Sequence, residues 1–381
     1  MHIVPVASGK GGVGKSLVAA NLAIALAQAG KRVVLADLDL GGSNLHLILG
    51  MPSVTGSIGS FLDSPKDQIT ALLQQTDVPN LLFLAGDAEI PGLANLTASQ
   101  KRLLIRRLTA LDADYLIIDL GAGTGQTTLD FFLTSSHGII CTNPTPTATV
   151  SAYLFLKNAA FRILQSAVGT RGAGAKYVKE LFSDRSGLRQ IYLPQIAREL
   201  DTHDSEAGLR FRRALRSFQP RLIMNMIDDP KDAEKVNRLR RSTQQYLDLD
   251  LLHLGVIYRD ELQDTALRAR LPIIRYKPGS VLSQAIYRIC EKILQMEEDT
   301  DESVLDLEVI NDSFEAAEAE AEQDFAGKLS YIEDLLDTGT LSTGDLIETV
   351  KSQQHEITQL RRQLDLYRKK LLTAVDQGFS I

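Results

Sequence analysis

The sequence predicts an α/β fold: a doubly wound, mostly parallel sheet with helices on both faces, followed by a C-terminal helical extension. Short apolar runs alternate with helix-patterned stretches through the first 296 residues, the order that a parallel sheet with helical crossovers requires. The runs are near-continuously hydrophobic rather than alternating, as expected of strands buried on both sides. A glycine-rich stretch, SGKGGVGKS (8–16), joins the first run to the first helical pattern.

The expected strands are HIVPVA (2–7), RVVLAD (32–37), NLLFLA (80–85), YLIIDL (115–120), GIICT (138–142), RLIMNMI (221–227) and LLHLGVI (251–257). SLVAANLAIALAQAG follows the glycine-rich stretch with an Ala/Leu-rich face, and Gly30 is its natural stop. The segment 280–296 is amphipathic at helical spacing and should pack back on the sheet. Roughly seventy residues separate Thr147 from Arg221, more than a minimal crossover needs, so an insertion around residues 169–203 is expected.

With 44% hydrophobic and 23% charged residues, the composition predicts a sizeable core. No uninterrupted apolar run approaches the ~18–20 residues that span a bilayer, and the N-terminus has no leader pattern. The two cysteines, Cys141 and Cys290, form no metal-ligand or redox pattern and sit in apolar surroundings, as buried thiols in a reducing cytoplasm do. The net charge of −7 is unevenly shared: residues 1–296 carry 34 basic against 27 acidic residues, and 297–381 carry 7 against 21. A basic body, 1–296, is therefore followed by an acidic stretch, 297–326, read as a solvated linker or weakly helical tract, and by a helical, coiled-coil-like tail, 327–381. In that tail Ile357, Leu360, Leu364, Tyr367, Leu371 and Ala374 make a short heptad seam. Its basic flanks also suit a helix lying on a membrane surface.

Gly9-Lys10-Gly11-Gly12-Val13-Gly14-Lys15-Ser16 satisfies the phosphate-loop pattern after a strand and before a helix. The glycines let backbone N–H groups turn toward phosphate oxygens, and the helix N-terminus favours an anion. Lys15 is expected on the β- and γ-phosphates of ATP or ADP, and the Ser16 hydroxyl on Mg²⁺. One lysine suffices for that task. Lys10, at the start of the loop, is badly placed for its own nucleotide but well placed for one held by a facing copy, where it would act like an arginine finger in trans.

KGGVGKS resembles the deviant Walker A motif of the MinD/ParA family, whose signature lysine is placed as Lys10 is. VVLADLDLGGSNLHLILG (33–50) is similar to the family's switch I, DADYLIIDLGAG (112–123) to its Walker B and switch II, and residues 254–285 to its closing segment. The phrases SGKGGVGKS and DLGAGTGQTTLDFF resemble MinD-like regulators of the FlhG type. The resemblance implies a Mg²⁺-dependent ATPase that dimerises face to face on ATP and answers to a protein partner or stimulator. It implies Asp39 as the switch I aspartate, acting on the attacking water and near the metal, and Asp119 as the Walker B aspartate that helps hold Mg²⁺. Asp37 then supports the metal through water or structures the loop. Gly121 and Gly123 let switch II move. Asn225 matches an adenine-reading asparagine, and residues 257–260, with Tyr258 where relatives have proline, match the loop over the base.

Two uses of such a switch follow: positioning or limiting a cellular structure, as MinD and FlhG do, or ParA-type partition on nonspecific DNA. Arg210, Arg212, Arg213, Arg216 and Arg221, with Arg238, Arg240 and Arg241, are the basic residues that the DNA reading uses. A cytoplasmic protein is expected, recruited to a membrane surface or the nucleoid when ATP-bound. A metallocluster ATPase would need more cysteines than these two.

Overall fold

The computed structural model describes residues 1–40, 42–51, 53–63, 68–86, 96–183, 192–298, 307–338 and isolated positions beyond 338. Along the chain come β1 (His2–Ala7), α1 (Lys15–Gln28), β2 (Val33–Leu38), α2 (Leu45–Ile48), α3 (Ile58–Asp63), β3 (Gln74–Gln75) and β4 (Leu81–Leu84). Then follow α4 (Ala98–Leu108), β5 (Tyr115–Leu120), α5 (Gln126–Phe132), β6 (Ile139–Thr142), α6 (Pro146–Val168), α7 (Ala173–Ser183), α8 (Leu193–His203) and α9 (Ser205–Ser217). The remainder is β7 (Arg221–Ile227), a 3-10 turn (Pro230–Lys235), α10 (Val236–Leu247), β8 (Leu252–Tyr258), α11 (Leu262–Arg268), α12 (Ile273–Tyr276), α13 (Val281–Glu298) and α14 (Leu307–Asp337).

The strands form one sheet in the order β3-β4-β2-β5-β1-β6-β7-β8. Every pairing is parallel except that of the two-residue edge strand β3 with β4. All seven strands expected from the apolar runs are present. β3, two glutamines long, carries no hydrophobic signal. From β1 the chain moves one way to β2, and from β6 the other way to β7, so the order reverses around β1. Such a reversal opens a crevice at the carboxyl ends of the strands, where α/β sheets bind ligands.

α1 is buried on nearly every side, from Val18 through Ala27, because it lies under α12 and α13 as well as on the sheet. That explains its small, uniformly apolar residues in place of an amphipathic stripe. Asn21, buried within it, donates to Leu17 O (2.8 Å) and accepts from Ile274 N (3.2 Å), tying α12 down. α5, α6, α9 and α10 make the other helical layer. α6 starts where Thr145 caps Ala148 N ahead of Pro146 in the first turn, and this fixes Thr147 at the top of the helix. The expected insertion is the helices α7 and α8, with α9 behind them, on the flank of α6.

The chain divides into two compact units, Met1–Asp324 and Phe325–Ile381. In the first unit, the residues after 306 depart from a solvated linker. Ile310, Phe314, Ala317 and Ala321 recur at four-, three- and four-residue steps and are buried, an apolar stripe set in an acidic field. Phe314 stacks on His253 (5.1 Å) and lies under Arg240. Asp324 pairs with Arg288 (2.5 Å), Glu320 with Lys292 (2.6 Å), and Glu318 accepts from Asn237 (3.0 Å). The acids have basic and amide partners on α10 and α13, so here the charge asymmetry is an internal match. The second unit is described by the end of α14 and scattered helical positions, with Leu329, Tyr331, Leu364 and Tyr367 exposed. Ile357, Leu360, Leu371 and Ala374 of the heptad seam lie outside the described residues. Among the described residues no helix is long and apolar enough to cross a membrane.

Candidate functional site

The loop 8–14 leaves β1 between its neighbours β5 and β6 and enters α1. Gly9 has no room for a side chain, because a Cβ there would sit 2.0 Å from Ser151 O on α6. Gly14 is held at φ +81°, and its Cβ would meet Asn225 Nδ2 at 2.2 Å. These two contacts clamp the loop between α6 and β7. Over Gly11 and Gly12 the space is open: the nearest atom to a Cβ on Gly11 is 3.9 Å away, and a Cβ on Gly12 would meet nothing within 4 Å. α1 then begins with no side-chain cap and no acidic residue in its first turn, leaving its first N–H groups and dipole to an anion.

The loop is also fastened from behind. Val13 O accepts from Asn225 Nδ2 (2.8 Å) and faces the Cys141 thiol (3.6 Å). A bulge at Met226, whose φ is +58°, interrupts the pairing of β7 with β8 next to Asn225, the kind of irregularity that re-aims a neighbouring side chain. Asn225 is thus brought to the loop, with its amide N–H engaged by backbone.

Lys15 is 6% exposed and its Nζ donates to Asp119 Oδ1 (2.5 Å), with Ser16 Oγ at 3.4 Å and Asp39 Oδ2 at 4.0 Å. Asp37, fully buried, accepts from Asp39 N (3.0 Å), Ser43 Oγ (2.6 Å) and Leu45 N (3.2 Å). It therefore structures the segment that presents Asp39, the second of its two expected roles. Asp39 itself stays about one-third exposed. Burial pushes the Asp119 carboxyl up to about 6, and neighbouring Asp37 adds to the rise while Lys15 opposes it. Asp37 is raised for the same first reason, against its three hydrogen bonds. Three carboxylates around one ammonium leave the site short of positive charge.

Lys10 is exposed, and its Nζ donates to Thr147 Oγ1 (3.0 Å) on the first turn of α6. Gly123 N donates to Ser8 O (2.9 Å), and a Cβ on Gly121 would stand 3.2 Å from Asp39 Oδ1, so the three sequence segments expected at a phosphate site do converge. The uncapped helix, the open cradle over Gly11 and Gly12, and the excess of carboxylate fit a nucleoside phosphate with a divalent cation. Backbone N–H groups and Lys15 would hold the phosphates; Ser16, Asp39 and Asp119 would stand toward the cation.

Tyr258 is a correction. Its side chain is 1% exposed and its hydroxyl donates to Ala321 O (2.8 Å) on α14, so it seats that helix instead of lining an open base pocket. The neighbouring Arg259 is exposed and pairs with Asp228 (3.2 Å). The basic face is corrected too. Arg221 is 7% exposed, its guanidinium pushed down to about 10 by burial; Arg240 is turned to Asn311 and Phe314 of α14; Arg212 is paired with Asp201. Thr147, Ser43 and Cys141 are contacts that sequence reasoning did not find. Thr147 was within reach of it, since Thr145-Pro146 marks a helix start two residues before.

Residues 1–164 match a ParA family profile described as the NUBPL iron-transfer P-loop NTPase. Both thiols here are buried, Cys141 on β6 and Cys290 on α13, and burial pushes each up to about 12. The chain is 24% identical over 305 residues to the antiactivator FleN of Pseudomonas aeruginosa, covering 77% of this chain and 86% of FleN. It is 26% identical over 290 residues to the flagellum site-determining protein YlxH of Helicobacter pylori, covering 75% and 79%. Its fold is similar to the septum site-determining protein MinD complexed with Mg-ADP from Pyrococcus horikoshii OT3, with a TM-score of 0.54 and 19% identity over 80% of this chain and 99% of that one. With the loop, its two lysines and the converging aspartates, these likenesses carry one conclusion: residues 1–164 carry the ParA-family profile of P-loop NTPases, and the chain is similar to FlhG-like and MinD-like proteins over about three quarters of its length.

Proposed function

We propose that the protein is an ATP-hydrolysing switch of the FlhG type, which pairs face to face with a second copy when ATP and Mg²⁺ are bound and so positions or limits a cellular structure. The observation that carries this reading is the opposite condition of the two loop lysines. Lys15 is buried among carboxylates, as a residue serving its own site is. Lys10 stands exposed at the rim, tethered by one hydroxyl, with its amine available to a facing molecule. The names of FleN and YlxH, an antiactivator and a flagellum site-determining protein, supply the biological direction.

In this reading Lys15 and the loop N–H groups hold the β- and γ-phosphates, and Ser16 with Asp119 carries the Mg²⁺, which offsets negative charge on the phosphates. Asp39 orients the attacking water. Asn225 stays beside the adenine while its amide fastens Val13. Lys10 enters the partner's site and stabilises the charge that develops as the terminal phosphoryl departs. Turnover of the lone molecule is slow, because the site is complete only in the pair.

Four of the eight arginines that the partition alternative uses are buried or engaged within the chain: Arg210, Arg212, Arg221 and Arg240. Light scattering after size exclusion tests the main reading. Asp39→Ala should elute as a dimer with ATP and Mg²⁺, and the double variant Asp39→Ala/Lys10→Ala as a monomer with nucleotide affinity within about threefold of the parent. A double variant that still dimerises removes Lys10 from the interface. Co-sedimentation of Asp39→Ala with anionic liposomes and with random duplex DNA then separates membrane, nucleoid and protein receptors.

A further inference from the structure

Residues 121–125, between β5 and α5, include Gly121, Gly123 and Gly125, and Gly123 sits at φ +95°. A segment so rich in glycine bends easily, so its position is set by what holds its two ends. One end is β5, paired inside the sheet with β1 and β2. The other is α5, only seven residues long and too short to be stable by itself. Asp130 supplies the hold. Its Oδ2 accepts from Lys101 Nζ of α4, and its Oδ1 accepts from Arg162 Nε of α6 (2.7 Å). Lys101 is 10%, Asp130 15% and Arg162 30% exposed. An enclosed, matched pair is thus joined by a guanidinium whose charge stays partly in water.

Each member of that pair stands where its own helix disfavours it. Asp130 lies in the last turn of α5 and Lys101 in the opening turn of α4, against both dipoles. The pair therefore serves the contact between the helices. Phe132, two residues on, adds an apolar anchor: it meets Phe155 of α6 edge-on at 4.9 Å. Gly138 makes room for its ring, since a Cβ there would stand 2.5 Å from it. α6 is also the body on which the phosphate loop leans, through Ser151 O at Gly9 and Thr147 at Lys10. Asp130 thus refers residues 121–125 and the start of the phosphate loop to one helix.

We propose that Asp130 is a positioning residue for ATP hydrolysis: tied to α6 through Arg162, it fixes α5 so that residues 121–125 meet the terminal phosphate at a set distance from the phosphate loop. The role deepens the ATP-switch reading and rests on it. Asp130 acts through the backbone of 121–125 and not on the reacting atoms. With α5 held, the movement that answers a bound phosphate is confined to the glycine segment, where Gly121 lies against Asp39. With α5 loose, the helix absorbs part of that movement, and a misplacement of ~1 Å costs up to about a hundredfold in rate.

Arg162→Met tests the tie, because it frees α5 from α6 while the Lys101–Asp130 pair stays whole. The melting temperature of the full-length variant should stay within about 3 °C of the parent's. At saturating ATP and Mg²⁺ its kcat should fall about tenfold or more, with nucleotide affinity within about threefold of the parent. Arg162→Lys should restore most of that loss. Asp130→Asn should lose at least as much, and adding Arg162→Met to it should cost nothing further. Hydrogen exchange with a non-hydrolysable ATP analogue and Mg²⁺ gives a readout free of turnover. The analogue should alter only the amides of 121–125 in the parent, and those of 126–132 as well in Arg162→Met. A kcat for Arg162→Met within about twofold of the parent, or a loss that Arg162→Lys does not restore, overturns the proposal. So does an exchange change confined to 121–125 in the variant. Parallel falls in melting temperature, affinity and kcat reduce Asp130 to a structural tie and overturn it too. A parent without turnover overturns the switch reading instead, and the exchange pattern still decides on Asp130.

Discussion

Two regions of this molecule bury charged groups, and they do so differently. At the crevice, Lys15 is surrounded by Asp119, Asp37 and Asp39. At the far edge of the sheet, Arg288 and Lys292 on α13 each meet one acid of α14, Asp324 and Glu320. The edge is balanced pair by pair and holds a helix. The crevice carries more acid than base; burial pushes the carboxyls of Asp119 and Asp37 up, as it does that of Asp324 at the edge, but in the crevice a single ammonium faces them. Burial is common to both; imbalance marks the site that expects a ligand. A buried charge without compensation costs several kcal/mol, and a fold keeps such a cost where a bound cation and polyphosphate relieve it.

The largest effect expected from breaking this contrast is on the crevice side. Lys15→Ala removes the ammonium buried in the crevice, which in the proposed reading holds the phosphates, so nucleotide affinity should fall about a hundredfold or more by calorimetry. Asp324→Asn, its counterpart at the edge, should leave that affinity unchanged.

A pH titration sharpens the comparison at smaller amplitude. The folded pKa of Asp119, about 6, lies above an unfolded value of about 3.9. Its contribution to the stability of the nucleotide-free protein is therefore present below about pH 4 and lost as pH rises through about 6. Cation binding needs the opposite state. Mg²⁺ affinity in the presence of nucleotide should weaken as pH falls below about 6, approaching tenfold per unit from this group. An affinity flat from pH 8 to pH 5 would take Asp119 out of the cation's surroundings.

The smallest effect belongs to the edge. Tyr258→Phe deletes the hydroxyl that seats Ala321 O and should cost about 1 kcal/mol, a melting shift of about 2 °C. Nucleotide affinity should not move. A loss of affinity would return Tyr258 to the nucleotide site.

How far the sequence could be read follows the same division. Strands buried on both faces announce themselves as apolar runs, and the phosphate loop is a local pattern whose glycine positions are fixed by sterics, so both were legible. Asp37, Asp39 and Asp119 ended up together because strand ends converge at a switch point. α14 was less legible because its acidity dominated the reading, although Ile310, Phe314, Ala317 and Ala321 already spelled a helical stripe. Tyr258 was misplaced because its partner, Ala321, is sixty-three residues away and chemically silent in sequence.

The central claim is that Lys10 acts on nucleotide held by a second copy, and mixing two disabled proteins tests it most directly. Lys10→Ala keeps its own Asp39 but lacks the reaching amine, and Asp39→Ala keeps the amine but not the water-orienting carboxylate. Each alone should turn over ATP at background rate. Mixed in the presence of ATP and Mg²⁺, they should regain turnover, since a site with its own Asp39 then receives the neighbour's Lys10. A mixture no more active than its separate components contradicts the account.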